Sequence, residues 1–240
     1  MKKLASILAA TILSVSVSSV NAEMISVGIS GNIGILDASG KETFNSKTQT
    51  KSEEMFMGYA SAFAELHVPM EVGPGKFRVG ASYVPYALES EATSSQRAEG
   101  ESGNTSGLNG CNVACTSTPK AAFSQNVQVD IEALTSMYVS YHVNSFFLKA
   151  GVMEATLKTN ESLGSGSSYG DAALEGSFFA LGYDKSLSNG PFDGMFIRGE
   201  VSVSEFDPIR LTNSGSDNSN VIDITNIDGT NVAFSIGKSF

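Results

Sequence analysis

Few residues in this chain could act together in chemistry. Its two cysteines, Cys111 and Cys115, stand in CNVAC, and its two histidines are His67 and His142. A structural metal site draws four ligands from short, characteristic spacings, and neither histidine is near the cysteines in sequence. An even pair this close, in an exported chain, is expected to form a disulfide that pins a loop tip. Residues 217–220 and 226–229 are rich in Asp and Asn, yet neither completes the D-x-[DN]-x-[DN]-G pattern of a calcium loop. Both read as solvated loop, so no metal and no cofactor is expected. What remains is a set of separated charges: Arg78, Asp130, Glu132, Lys149, Arg198 and Glu200. Their meaning depends on which face of which element carries them.

The amino terminus bounds the setting. Lys2 and Lys3 precede an apolar run over residues 4–20, and Val20-Asn21-Ala22 ends it with small residues at the last and third-last positions. These are the parts of a secretory signal, expected to be cut after Ala22 and to leave 23–240 as one domain. No other run approaches the ~20 consecutive apolar residues of a membrane-spanning helix, so any membrane crossing has to be made by strands. The formal net charge of −10 argues against nucleic acid as a partner, because that binding rests on Lys and Arg neutralising phosphates.

Eight segments alternate with a period of two, as strands do when their faces meet different surroundings. They are residues 24–36, 55–68, 76–87, 126–143, 146–158, 174–184, 195–206 and 230–240. The fourth is clearest, with Val127, Val129, Ile131, Ala133, Met137 and Val139 on one face and Gln128, Asp130, Glu132, Ser136, Ser140 and His142 on the other. It exceeds the ~9–11 residues that a tilted membrane strand needs. The connections alternate in length: 37–54, 88–125, 159–173 and 207–228 are long, whereas 69–75, 144–145 and 185–194 are short. Residues 221–227 either belong to the last strand, with a bulge at 228–229, or add a hairpin that would raise the count to ten.

Such alternation is expected of an up-and-down barrel whose short turns face the periplasm and whose long loops face outside. On the apolar faces no Asp, Glu, Lys or Arg falls at membrane depth; Glu154, Lys158, Glu175 and Glu205 lie at the outer ends and Lys238 at the inner rim. The expected fold is therefore all-β, a transmembrane up-and-down antiparallel β-barrel of eight strands. Eight strands enclose just enough space for side chains. Arg78, Lys149 and Arg198 are expected to meet Asp130, Glu132 and Glu200 there as a salt-bridge plug. Phe77, Tyr141, Phe146, Tyr183 and Phe240 fall on the outward face at the periplasmic end, an aromatic girdle.

In this strand pattern, and in terminal Phe240 with Ile236, Phe234 and Val232 upstream, the chain resembles the small eight-stranded outer-membrane barrels of the outer-membrane protein X, outer-membrane protein A membrane-domain and opacity-protein type. Lys238 departs from that pattern, since such endings commonly carry an aromatic or apolar residue there. The resemblance implies a bacterial outer membrane, with lipid and lipopolysaccharide around the wall and an insertion machinery that reads the last strand. Small barrels also include lipid A acyl-modifying enzymes and omptin proteases, which work at the outer surface. That likeness would imply a histidine with serine and a carboxylate at the external rim, whereas His67 and His142 end their strands at the periplasmic side. The chain is accordingly expected not to be an enzyme. Binding usually resides in loops held by a rigid scaffold, so the expected role is structural or surface-interacting, adhesion- or receptor-like, through the external loops and an unidentified partner. The alternative is a narrow porin-like channel for small solutes.

Overall fold

Eight strands follow the alternation: β1 (Ile25–Phe44), β2 (Lys47–Val72), β3 (Gly75–Tyr83), β4 (Phe123–Val143), β5 (Phe146–Ser162), β6 (Ala172–Leu187), β7 (Met195–Phe206) and β8 (Val221–Ser239). The computed structural model describes residues 25–44, 47–90, 93–97, 123–162, 168–187, 190–214 and 221–240. The expected export signal, Cys111 and Cys115, and residues 217–220 lie outside these. Each strand pairs antiparallel with the next, and β8 returns to β1, closing a ring of eight. At the closure Phe240 N–H donates to the Ile25 carbonyl at 2.8 Å. The chain is thus an eight-stranded antiparallel barrel, and residues 221–227 extend β8 instead of adding strands to the wall.

Outward residues are apolar over a continuous band. Phe56 and Phe234 are each 71% exposed, a degree of exposure of large apolar side chains that suits a lipid surface and not water. The band has a sharp outer limit. At the next outward-facing pair beyond Ile35 and Phe56, Asp37 lies opposite both Glu54 and Asp228, and Asp228 lies opposite Glu205. Glu154 and Glu175 are likewise neighbours. Like charges directly opposite repel, which places this carboxylate row in water or head groups. Val201 sits mid-band between Val232 and Leu181. Val201→Arg should lower the unfolding free energy in phospholipid vesicles by ~2–4 kcal/mol; an unchanged denaturation midpoint would remove this face from the bilayer.

Several expected boundaries move. Among the described residues, parts of the long connections are paired: β1 and β2 continue to Phe44↔Lys47, and β5 runs to Ser162. Short pieces Leu88–Glu89 and Thr93–Arg97 pair with the outer part of β4, and Ile209–Thr212 pairs with the outer part of β8. Beyond the bilayer no lipid enforces a one-sided apolar face, so strands persist there without the alternation that would announce them.

Two bulges invert the faces near the outer end. In β4 the ladder to β5 shifts between Glu132 and Thr135, with Ala133 at φ 55°. In β8 Ser39 pairs with Asn226 but Gly40 with Ile224, leaving Thr225 extra; the bulge is there and not at 228–229. An extra residue flips every side chain beyond it to the other face. Ile131 therefore turns inward beside Leu157 and Leu88, and Ile222 and Ile224 turn inward beside Leu211 and Ile209. With Leu36, Leu174, Phe206 and Ile227 they form an apolar core across the outer half of the interior.

The expected third strand ends early, at Tyr83 instead of residue 87. In the β2–β3 register Ala62 faces Tyr83, so Pro85 would fall opposite Ala60, and proline has no N–H for the ladder. The Ala60 N–H donates to the Tyr86 hydroxyl instead. Beyond that point the chain leaves β2 and pairs with β4.

Candidate functional site

Inward positions of β2, β3, β4, β5, β6 and β7 bring the charged residues of the lumen together below the apolar core. Arg198 is the centre. Its Nη1 and Nη2 donate to Glu65 Oε1 and Oε2 at 2.7 and 2.9 Å, and its Nε donates to Asp184 Oδ1 at 2.6 Å. Arg78 Nη1 reaches the same two carboxylates, at 3.3 Å from Glu65 and 3.2 Å from Asp184. Tyr138 donates its hydroxyl to Glu65 at 3.0 Å, and Lys149 pairs with Glu200. Two guanidinium groups and one ammonium thus face three carboxylates.

Aromatic rings wall this layer. The Arg198 guanidinium lies 4.9 Å from the Phe147 ring centre, 5.2 Å from Phe63 and 5.3 Å from Phe196, and Lys149 Nζ lies 4.4 Å from that of Tyr138. Cations over ring faces gain most where water is excluded. Tyr138 is flanked in register by Gly80 and Gly151. A Cβ on Gly80 would stand 2.6 Å from the ring, so the glycine is what lets the phenol lie across the lumen to Glu65.

Arg78, Lys149, Arg198 and Glu200 meet here as expected from their faces. Asp130 and Glu132 do not. The bulge at Ala133 turns both to the outer side of the wall, where Glu132 pairs with Lys158 at 2.8 Å and Asp130 accepts from Asn160 and Gln128. Glu65 and Asp184 take their place. Asp184 continues the inward parity of Gly176, Phe178, Ala180 and Gly182, and that parity was the signal for it; a strand read as ending at 184 hides it. In the expected girdle, Phe77 and Tyr141 have ring centres 4.9 Å apart, and Phe146 and Tyr183 5.2 Å. Lys238 Nζ lies 5.3 Å from the Phe240 ring.

One arrangement has the order of a hydrolytic triad. Ser140 Oγ is 2.9 Å from His142 Nε2, and His142 Nδ1 is 3.4 Å from Asp184 Oδ2. Its setting is unsuited to that chemistry. Ser140 is 1% exposed, the imidazole is stacked on Phe147 at 4.9 Å, and Asp184 is already engaged by two arginines. At the same end His67 Nε2 lies 2.8 Å from Ser26 Oγ.

Between the charged layer and the apolar core lies a cavity of about 100 Å³, lined by Ser30, Asn32, Ser61, Ser136, Ser202 and Asn231 among others. Asn32 Nδ2 donates to Ser61 at 3.1 Å, and Ser30 and Ser235 share a bond of 2.7 Å. Asn231 Oδ1 has no hydrogen-bond partner among the described residues. The space has a mixed polar and apolar lining and room for a few waters, bounded by charge on one side and hydrocarbon on the other.

No family model matches the chain, and no curated protein matches it. Among solved structures, the chain is similar to the attachment invasion locus protein Ail of Yersinia pestis, crystallised with the heparin analogue sucrose octasulfate, at 11% identity and a TM-score of 0.34 over 89% of this chain and 99% of that one. It is similar to the outer membrane protease OmpT of Escherichia coli at 10% identity and a TM-score of 0.38 over 95% and 100%. A FadL homologue of Pseudomonas aeruginosa follows at 8% identity and a TM-score of 0.28 over 90% of each chain.

Proposed function

We propose that this barrel works as a closed anchor in the bacterial outer membrane that presents its external hairpins to a partner at the cell surface, an adhesion- or receptor-like role without catalysis. The observation that carries this reading is the stacking of two closures in one lumen: a neutral, mutually saturated ion cluster and, beyond it, a packed apolar layer. A solute would have to break the first and dewet through the second. Opposite that closed interior, the β1–β2 ladder continues from Asp37↔Glu54 to Phe44↔Lys47, a stiff projection beyond the lipid band on which a partner can settle. The amino-terminal signal directs export and is cut after Ala22, the insertion machinery reads β8, and lipid with lipopolysaccharide surrounds the wall.

The test is conductance of the purified folded barrel in planar bilayers, run beside a lipase and protease assay of the same sample. A flat current at all voltages and no hydrolysis are expected. Discrete openings would replace this reading with a narrow solute channel, and turnover of either substrate class would replace it with an enzyme.

A further inference from the structure

We propose that the seam between β2 and the chain following β3 is a lateral binding site for one acyl chain of a bilayer lipid, which enters the apolar outer half of the barrel through the wall. The seam begins where Pro85 stops the ladder above Ala62↔Tyr83. It runs outward past Ala60, Gly58 and Phe56, all outward-facing and all below the carboxylate row that starts at Glu54. It is therefore continuous with the lipid-facing band.

The Ala60 N–H points into the seam, because the Tyr86 hydroxyl meets it there. In a strand the backbone groups of alternate residues point the same way, so those of Gly58 and Phe56 point there too. No described residue bonds to them, and β2 outward of Ala62 pairs only with β1. Unpaired backbone groups at hydrocarbon depth cost several kcal/mol each. Their N–H groups call for oxygen acceptors, and water at the head-group boundary can serve the carbonyls beside them; what lies behind the seam decides what else it carries. Val84 and Leu88 are buried there, with Met55, Met57 and Tyr59 packed alongside. Methionine is the side chain that most readily yields space to an apolar guest. The complementary molecule is an amphiphile: ester oxygens on the Gly58 and Phe56 N–H groups, and a hydrocarbon chain on Met57, Val84 and Leu88. Outer-leaflet lipid presents this chemistry at this depth.

The test uses the full barrel, deuterated except for methionine methyl groups, in nanodiscs of protonated dimyristoylphosphatidylcholine. Met137 is 38% exposed on the lipid face and should show a nuclear Overhauser effect to lipid methylenes. Met153, which lines the central cavity, should show none. The inference expects a lipid contact at Met57 as well, lost in Pro85→Val, which returns an N–H opposite Ala60 and lets the ladder close. Contact at Met137 but not Met57 in the wild type overturns it. Should Pro85→Val not fold, Gly58→Leu fills the seam from the lipid side and must abolish the Met57 contact; persistence in that variant also overturns it.

Discussion

Arg198→Ala should destabilise the barrel by ~3–5 kcal/mol, the loss seen when one member of a buried ion network is removed and its partners stay behind uncompensated. Glu65 would keep only Arg78 and Tyr138, and Asp184 only Arg78 and His142. Arg198→Lys should recover less than half of the loss. An ammonium cannot span both Glu65 oxygens in the paired geometry of a guanidinium and still reach Asp184. Urea unfolding of the protein in detergent micelles, followed by heat-modifiable gel migration, measures the change. Ser202→Ala, an inward substitution outside the cluster, is the reference. If Arg198→Ala unfolds at the same urea concentration as that reference, the cluster is not what holds the inner half together.

Leu174→Ala comes next, with an expected cost of ~2–5 kcal/mol. Leu174 is 1% exposed and belongs to the apolar core of the outer half, so truncation leaves a cavity that rigid strands cannot collapse around. Leu181, seven residues along the same strand and 55% exposed, supplies the contrast. Shortening it removes the same methyl groups but leaves no hole, because lipid chains flow into the space. The difference between the two losses measures the cavity contribution, and equal losses would mean that the outer half is loosely filled.

The wall was legible in the sequence because a bilayer outside and a polar lumen inside impose opposite demands on successive residues. Met137, Val139 and Tyr141 against Ser136, Tyr138 and Ser140 leave no freedom of register. The outer part was less legible for two reasons. Past Asp37 the outer face of β1 no longer meets lipid, so residues 38–44 continue the strand without the pattern that marks one. Ala133, moreover, carries no bulge signal: it is neither glycine nor proline, yet its left-handed backbone sends Asp130 and Glu132 to the wrong side of the wall. Four of the six expected lumen charges stand where parity puts them. The two that fail lie just beyond that residue, and Asp184 is missed because it stands as the last residue of the expected strand 174–184, where the observed strand runs on to Leu187. Pro85, which cannot serve a ladder, falls inside the expected strand 76–87 because it keeps the alternation, although the observed strand stops at Tyr83.

The closure of the ring has a consequence for the order of events in making this protein. Ser26 pairs with Ser239, so the first strand of the ring must wait for the last. Neighbour-to-neighbour hairpins can zip as the chain arrives, but the seam that removes both sheet edges forms between residues far apart in sequence, from Thr43↔Val221 to Ser26↔Ser239. Contacts of such separation are slow to form, and during the wait β1 offers an open edge to any other chain. The need to keep that edge from premature pairing until the last strand arrives is therefore built into the topology.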